Sequence, residues 1–412
     1  MTEAVFVSAV RTPIGNFGGS LKDIPAYDLA ALVLNELIKK VGLSAEQIEM
    51  VLLGQNYQNG EYVNIARMAL LTAGWPVEIP GLTIDRRCPS GLDALCLANT
   101  LVESGQVSTI VAGGVESMST SELYLPGDIR WGLGGSGDAP RGHGSLATWG
   151  VPLYDRVQRG RVMSQPSGRF GVLPSMMSWA ETAAKEHNLS REEVDRWALA
   201  SNQRACAAMD SGKFDNEIVP VPIPQRKGDP VMFTKDERPR ADTSLEALGK
   251  LRPVMDGVCT AGNSSGENDG ASVCLLMTRA RAEELKVKPL ARLRSFAFGG
   301  ADPRYAWKAA TIAVQKALAK AGLTLDQIDL IEIHEAFAAQ ALANFRELGI
   351  AEKDYDKVNV NGSCVSLGHP LGATGARITT TLLNEMQRRH ARYGLIGICG
   401  GGMGIGAILE SV

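Results

Sequence analysis

Long apolar runs, a marked net charge and targeting segments are all missing from this 412-residue sequence. No apolar stretch approaches the roughly 18 residues that a membrane-spanning helix needs, so we expect no membrane partner. The formal net charge is −3, so no overall basic character points to nucleic acid as a partner. The opening MTEAVFVSAV is unlike a signal peptide, and the closing ILESV is no peroxisomal tripeptide. A cytoplasmic location is therefore expected.

Cysteine and histidine are also sparse, at seven and five residues. An odd number of cysteines scattered through a long chain argues against a disulfide framework and for free thiols in a reducing compartment. None of these residues shows the C-x-x-C or H-x₃-H spacing of zinc ligands, so we expect no metal site.

What the sequence does contain is an alternation of apolar, strand-like runs with segments of helical periodicity. Apolar residues make up 45% of the chain and charged residues 21%, which is ordinary for a globular protein with a large core. The alternation predicts an α/β fold with buried strands. The elements predicted for the first part are strands 4–10, 49–54, 82–85 and 108–114 and helices at about 26–41, 63–73 and 90–104.

The chain also repeats itself. Residues 39–54 (KKVGLSAEQIEMVLLG) resemble residues 319–334 (AKAGLTLDQIDLIEIH), and each copy is typical of a helix, a turn, a short capped helix and a strand. A second pair, 88–118 and 371–404, shares a layout of helix, strand and glycine turn. Both pairs occur in the same order, which predicts two related α/β halves beginning near residues 1 and 289.

The segment between these halves has a different composition. It is rich in glycine and proline up to about residue 178, then strongly helical, and then polar over residues 224–244. We interpret it as an insertion of loops and helices, and a long insertion in a compact fold usually serves binding or gating.

Cys88 follows a predicted strand and stands at the start of a predicted helix, with Pro89 suited to the first helical turn. The partial positive charge of a helix N-terminus favours a thiolate there. The alternative is a buried cysteine that acts only as a small apolar residue. A turn from strand to helix is nonetheless where an exposed nucleophile is expected.

Three further residues lie at strand ends or in glycine-rich turns. His369, in SLGHPLGATG, is a candidate acid or base, although a lone histidine is more often structural. Cys399 ends an apolar strand and precedes three glycines, whose N–H groups can hold a negative oxygen or simply permit tight packing. His334 ends another strand, where Glu335 offers the alternative of a partner for the next helix dipole. A cysteine nucleophile with a histidine partner and a second thiol fits acyl transfer.

Several motifs, in this combination and order, resemble those of the thiolase family over essentially the whole chain. They are RTPIGNFGGSLKD (11–23), CPSGLDA (88–94), GGVESMS (113–119), KLRP (250–253), TAGNSSGENDGAS (260–272), HEAFA (334–338), NGSCVSLGHPLGATG (361–375) and CGGGMGIG (399–406). The resemblance implies an α/β thiolase fold, in which two similar five-stranded α/β halves pack as a layered αβαβα core with an inserted loop domain for coenzyme A. The implied domains are a first half 1–120 completed by 268–288, a loop domain 121–267 and a second half 289–412.

The resemblance also implies a thiolase-type acyl-CoA C-acyltransferase of acyl-CoA metabolism, such as β-oxidation. Such an enzyme cleaves a 3-oxoacyl-CoA with coenzyme A, or condenses two acyl-CoAs. Cys88 would hold the acyl group, His369 would take the Cys88 proton, and Cys399 would serve as acid and base at the α-carbon. His334 and His369 would bind oxyanions, and the backbone N–H groups of Cys88 and Gly401 would form a second oxyanion hole.

Contacts to coenzyme A are implied for five positions. Ser265 would contact the pantetheine, and the same tunnel would be lined by Met176, Ala336 and Phe337, with Arg240 near the nucleotide end. The implied partners are acyl-CoA, coenzyme A and further copies of the chain in a homodimer or homotetramer. No permanently bound cofactor is implied.

The sequence departs from the family pattern around the acyl pocket. Glu267 occupies a place that is usually apolar, and residues 306–310 read AWKAA where the family has Met-Gly-x-Gly-Pro. Trp307 and Trp179 add large rings, which predicts an acyl group bulkier than acetoacetyl.

Two alternative functions stay open on the sequence alone. A ketoacyl-synthase-like condensing enzyme would use one cysteine with two histidines, or with a histidine and an asparagine, and Cys399 argues against it. A non-catalytic acyl-CoA-binding subunit is suggested only by the departures from the family pattern.

Overall fold

The computed structural model describes residues 2–127, 152–173 and 175–412. The strands are β1 Ala4–Arg11, β2 Gly15–Asn16, β3 Met50–Gly54, β4 Gly81–Ile84, β5 Thr109–Ser117, β6 Leu123–Tyr124, β7 Tyr154–Asp155, β8 Val221–Ile223, β9 Val231–Phe233, β10 Asn268–Thr278, β11 Ala291–Gly300, β12 Leu330–Ile333, β13 Tyr393–Gly400 and β14 Met403–Ser411. The α-helices are α1 Ala26–Val41, α2 Ile65–Thr72, α3 Ser90–Glu103, α4 Arg156–Val162, α5 Ser167–Phe170, α6 Met177–Glu186, α7 Arg191–Asp210, α8 Leu245–Gly249, α9 Arg279–Leu285, α10 Lys308–Ala321, α11 Ala338–Leu348, α12 Cys364–Leu367 and α13 Leu371–Arg389.

One mixed sheet of ten strands runs through the molecule in the order β12-β13-β14-β11-β1-β10-β5-β3-β4, with β2 attached to β10. In the first half β3 is parallel to β4 and β5, and β10 is antiparallel to β5 and β1. The second half repeats this pattern, because β12 is parallel to β13 and β14 is antiparallel to β13 and β11. Within the sheet, the two halves are joined by the pairing of Phe6 with Ala291.

The internal repeat predicted from the sequence is present in the structure. Helices α1 and α10 each end at a left-handed glycine, Gly42 and Gly322. A short 3-10 helix with a capping box then follows in both copies, begun by Ser44 in one and by Thr324 in the other. The predicted α/β fold is confirmed, with one difference in the second half. The counterpart of β4 is reduced there to a single parallel bridge between Ile331 and Val358.

Three apolar clusters show how the layers are stacked. Helices α1 and α2 cover one face of the first half, α10 and α11 cover the far face of the second half, and α3 and α13 fill the space between. Adjacent strand residues face opposite layers, so that Val5 packs toward α1 while Phe6 packs toward α3. The order of layers is therefore αβαβα, as predicted.

The central helices approach the first half closely through glycine. A Cβ built on Gly114 of β5 would lie 2.0 Å from the carbonyl oxygen of Gly372 at the start of α13. A side chain at either position would push the helix away from the sheet. The start of α13 is thereby held beside the start of α3, and these two helix N-termini carry His369 and Cys88.

The segment between the halves contains α4 to α8 and two small sheets, β6 with β7 and β8 with β9. The part of its glycine-rich stretch at residues 128–151 lies outside the described residues, and the domain boundaries at 120 and 267 stay a prediction. No helix in the described part of the chain is both long and apolar enough to cross a membrane.

Candidate active site

Three of the four predicted catalytic residues line one cavity. Cys88, His369 and Cys399 all lie on the wall of a cavity of about 490 Å³. They are contributed by both halves and by distant parts of the sequence. His334, the fourth, is fully buried beside them, with its ring centroid 4.4 Å from that of His369.

Cys88 stands in a tight turn between β4 and α3. The Ser90 hydroxyl closes this turn, because it accepts a hydrogen bond from the N–H of Arg86 at 2.8 Å and donates to the carbonyl of Arg87. Burial raises the pKa of the Cys88 thiol, and the nearby Cys399 and Cys364 raise it further, against a lowering effect of Arg87. The effect of burial on this pKa is therefore larger than that of the helix N-terminus. The resting group is a thiol rather than the thiolate suggested by the sequence.

The hydrogen bonds of His369 define which of its ring nitrogens carries the proton. Nε2 lies 3.2 Å from Cys88 Sγ, and Nδ1 lies 2.7 Å from Thr374 Oγ1. The single hydroxyl proton of Thr374 is donated to the carbonyl of Pro370 at 2.9 Å. Nδ1 must therefore be the donor to Thr374, so Nε2 presents a lone pair to the thiol.

The surroundings of His369 keep it neutral and in place. Burial lowers its pKa well below the usual value, with further lowering by His334, Arg377 and Arg161. Its backbone N–H donates to Asn268 Oδ1 at 2.8 Å, and the Asn268 amide donates to the carbonyl of Gly15 at 3.0 Å. A neutral imidazole beside a neutral thiol is the arrangement required of a general base.

Cys399 is the next-to-last residue of β13, just before the turn into β14. Gly401 and Gly402 make this turn with φ of 60° and 82°, a backbone conformation that suits glycine. A Cβ on Gly400 would lie 2.9 Å from the backbone nitrogen of Cys88, so the turn packs against Cys88. Burial raises the pKa of Cys399 to about 12, and this thiol therefore keeps its proton at neutral pH.

His334 is buried and neutral. Burial and the Arg377 guanidinium lower its pKa to about 3, against a raising effect of the Cys399 backbone. Neither ring nitrogen makes a well-formed hydrogen bond with a described residue, although the Cys399 backbone lies close enough to raise the pKa of the ring. An unsatisfied buried imidazole is costly, so a substrate or water oxygen is the natural partner for it.

His334, Cys364 and His369 bring their ligand atoms within 4.8 Å of one another, which is close enough to surround a metal ion. The charge around them opposes that use, because Arg377 Nη2 lies 3.0 Å from Cys364 Sγ. Both ring nitrogens of His369 also have other partners. The expectation of no metal stays a prediction.

Glu335 in the HEAF motif has a different task from the helix-dipole partner considered on sequence grounds. Its carboxylate is buried and accepts hydrogen bonds from Trp197, Ser201 and Asn359 side chains and from the N–H of Val365. It therefore ties α7 of the inserted segment to the second half.

Sequence reasoning missed Glu116 as a separate residue of the site. Its carboxylate accepts N–H groups from Asn56, Tyr57 and Gly372, and burial raises its pKa to about 7. It therefore joins the loop after β3 to the start of α13, while Asn268 and Thr374 bind His369 directly. A charged residue inside the apolar run of β5 was the available signal.

Four of the five residues predicted to bind coenzyme A line the same cavity, namely Met176, Ser265, Ala336 and Phe337. Arg240 is exposed and does not line it, whereas Arg238 does. Arg238 donates to the carbonyls of Val365 and Ser264, and burial lowers its pKa to about 10. The sequence alone offered no way to distinguish these two arginines.

The residues that depart from the family pattern also reach the cavity. Glu267 lies on its wall, with Oε1 2.6 Å from Arg161 Nη1. Trp307 touches the cavity but is 1% exposed, and its indole N–H donates to Glu347. Trp179 also lines the wall. The predicted preference for a bulky acyl group stays untested by this arrangement.

Comparison with known proteins agrees with the geometry. Residues 4–280 match the family model "Thiolase, N-terminal domain" and residues 287–411 match "Thiolase, C-terminal domain". The chain is 44% identical over 412 residues to an acetyl-CoA acetyltransferase of Pseudomonas aeruginosa, with 99% of each protein covered. It is 42% identical over 413 residues to one of Cupriavidus necator, with 100% of each covered.

The crystal structure of the Bacillus anthracis acetyl-CoA acetyltransferase superposes with a TM-score of 0.90 and 40% identity, covering 100% of this chain and 99% of that one. Family, fold and the clustering of two cysteines with two histidines all agree. The chain belongs to the thiolase family and is an acyltransferase of the thiolase type.

Proposed function

We propose that this thiolase cleaves a 3-oxoacyl-CoA through an acyl-cysteine on Cys88. The observation that carries the proposal is the 3.2 Å contact between Cys88 Sγ and a His369 Nε2 that presents a lone pair. His369 takes the thiol proton as sulfur attacks the 3-oxo carbon. The bond between carbons 2 and 3 breaks, and the acyl group stays on Cys88.

Cys399 supplies the proton for the departing fragment. The enolate released by bond cleavage holds carbons 1 and 2 and the coenzyme A portion; it takes the Cys399 proton and leaves as acetyl-CoA, and the shortened acyl-CoA forms in the next step. Cys399 then recovers a proton from the incoming coenzyme A thiol, whose sulfur attacks the acyl-cysteine and frees Cys88. Condensation is the same sequence in reverse. The raised pKa of Cys399 fits a group that must be protonated at rest.

Oxyanions formed in these steps need donors already in place. We assign the N–H groups of Cys88 and Gly401 to the oxygen of the tetrahedral intermediate, since the Gly400 turn packs on Cys88. His334 and protonated His369 face the enolate oxygen, directly or through water. The His334 ring, which makes no well-formed hydrogen bond with any residue that the structure describes, supports this assignment.

Coenzyme A would enter along the cavity residues Met176, Ser265, Ala336 and Phe337, with the exposed Arg240 near the nucleotide. Seven free cysteines suit a cytoplasmic location. A homodimer or homotetramer is proposed from the family resemblance.

Thiolysis across a panel of 3-oxoacyl-CoAs tests the proposed function. We expect coenzyme A to be consumed with at least one member of the panel and a shortened acyl-CoA to be formed in equal amount. Chromatographic measurement of the two products, acetyl-CoA and the shortened acyl-CoA, checks the stoichiometry. A chain that binds acyl-CoA without cleaving any of them would instead be the non-catalytic subunit.

Thr374→Val is expected to slow acylation of Cys88 by about tenfold, because a buried N–H left without its acceptor costs about 1–3 kcal/mol. The variant also allows the tautomer in which Nε2 carries the proton and presents no lone pair to the thiol. The rate of Cys88 alkylation by iodoacetamide, followed against pH, measures this loss of base function.

Thr374→Ser is the matched control, since it keeps the hydroxyl and should restore the wild-type pH profile. A purely structural role would lower the melting temperature of Thr374→Val and leave the alkylation profile unchanged.

A further inference from the structure

The cavity wall beside Cys88 is positively charged. Among the described residues it includes three arginines, Arg87, Arg161 and Arg238, and one carboxylate, Glu267. Glu267 forms an ion pair with Arg161 at 2.6 Å. Arg87 has no carboxylate within ion-pair distance in the described part of the chain. Its side chain contacts a carbonyl instead, that of Gly160 at 3.3 Å from Nη1.

Arg87 is held in an unusual conformation by its neighbours. Its φ is 58°, in the left-handed region that a non-glycine residue seldom occupies. The turn is stabilised by Asp85, whose Oδ1 accepts the Arg87 N–H at 2.8 Å. Backbone strain of this kind is kept where the direction of a side chain matters.

The Arg87 side chain runs along the turn that follows Cys399. A Cβ on Gly400 would lie 3.2 Å from Arg87 Cβ, and one on Gly401 would lie 3.5 Å from Arg87 Cγ. The guanidinium then reaches helix α4, where a Cβ on Gly160 would lie 3.7 Å from Nη1. Arg161 is the next residue of that helix. Two guanidinium groups therefore border the space above the nucleophile, where an acyl group would extend.

We propose that the acyl group transferred by this enzyme carries a second carboxylate, which Arg87 binds with assistance from Arg161. This inference rests on the proposed function and defines its substrate class as 3-oxoacyl-CoAs of dicarboxylic acids. A guanidinium in a partly buried site binds a carboxylate by charge-assisted, often bidentate hydrogen bonds. An apolar acyl chain would leave the same groups without that partner.

The ion pair with Glu267 bears on the strength of this binding. Its carboxylate neutralises Arg161 and would repel a substrate carboxylate placed close to it. Gln158 also donates to Glu267, at 3.3 Å, and helps to hold it in place. Removing the charge of Glu267 while keeping its shape should therefore strengthen binding of a dicarboxylic substrate.

A matched pair of substrates tests the inference. 3-Oxoadipyl-CoA carries the extra carboxylate, and 3-oxohexanoyl-CoA has the same chain length without it. We expect kcat/KM of the wild-type enzyme for the first to exceed that for the second by roughly 10- to 100-fold, the range for a hydrogen bond to a charged group. In Arg87→Gln this ratio should fall toward one, and in Glu267→Gln it should rise by about threefold or more.

Arg159→Gln is the matched control, because Arg159 lies on the same helix α4, stacks on Tyr154 and does not line the cavity. It should leave the ratio at the wild-type value. Glu267→Gln serves as the second test if Arg87→Gln does not fold, since it conserves volume and requires no new contact.

A wild-type ratio near one in an active enzyme would overturn the inference and leave the proposed function standing. Arg87→Gln could also lower kcat/KM equally for both substrates, or raise only the KM for coenzyme A. The first result would mean that Arg87 only stabilises the turn at Cys88, and the second that it binds coenzyme A. Either would contradict the inference. Failure to cleave any 3-oxoacyl-CoA would overturn the proposed function itself.

Discussion

Cys88→Ala is expected to lower the rate of thiolysis by at least about 10⁴-fold, because alanine lacks the sulfur atom that would attack the substrate. The Nε2 lone pair of His369 faces Cys88, so this base serves the Cys88 thiol. In the wild-type enzyme, incubation with acyl-CoA should add one acyl mass to the peptide that contains Cys88. Mass spectrometry of the intact and digested protein measures this adduct.

Cys206→Ala is the matched control for that experiment. Cys206 is a half-buried free thiol on α7, outside the cavity, and its removal should leave both activity and labelling intact. An acyl group found only on Cys399, or a Cys88→Ala enzyme with substantial activity, would refute the assignment of the nucleophile.

Cys399→Ala is expected to separate the two chemical steps. Acyl transfer from an acyl-CoA to Cys88 should survive, because Cys88 and His369 remain in contact. Condensation should fall by roughly 10²- to 10⁴-fold, which is the usual contribution of a positioned proton donor or acceptor. Rapid-quench measurement of coenzyme A release would show one equivalent per active site, followed by little turnover.

Condensation at near the wild-type rate in Cys399→Ala would remove Cys399 from the mechanism. Loss of the initial burst as well would indicate that the variant has disturbed the Gly400 turn against Cys88, a packing effect rather than a chemical one. Cys399→Ser separates these cases, since it keeps a small polar group in the same space.

Much of the fold was determined by local sequence. The predicted helix at 26–41 matches α1, and the predicted strand at 49–54 differs from β3 by one residue. Periodicity carries this information because each element buries one face or both against a layer. The repeated capping residues around Ser44 and Thr324 similarly indicated two related halves, and both copies fold as the same short capped helix.

The four catalytic candidates were also visible in the sequence, since each stands at a strand end or in a glycine-rich turn. Their chemical state was not. The helix N-terminus at Cys88 pointed to a thiolate, whereas burial raises the pKa of its thiol. Desolvation of the Cys88 thiol depends on every layer packed around the turn, so it cannot be predicted from a local sequence pattern.

Tertiary structure alone decided how distant residues act together. Thr374 selects the His369 tautomer, and Glu116 binds the N–H of Gly372 from another half of the molecule. The position of the Arg87 side chain likewise depends on a turn that follows Cys399, more than 300 residues later. Sequence determined which elements form and which reactive residues stand at their ends, because those properties follow from short-range periodicity and capping. Packing of the two halves decided charge, protonation and partners, because these arise from groups brought together only when the layers close.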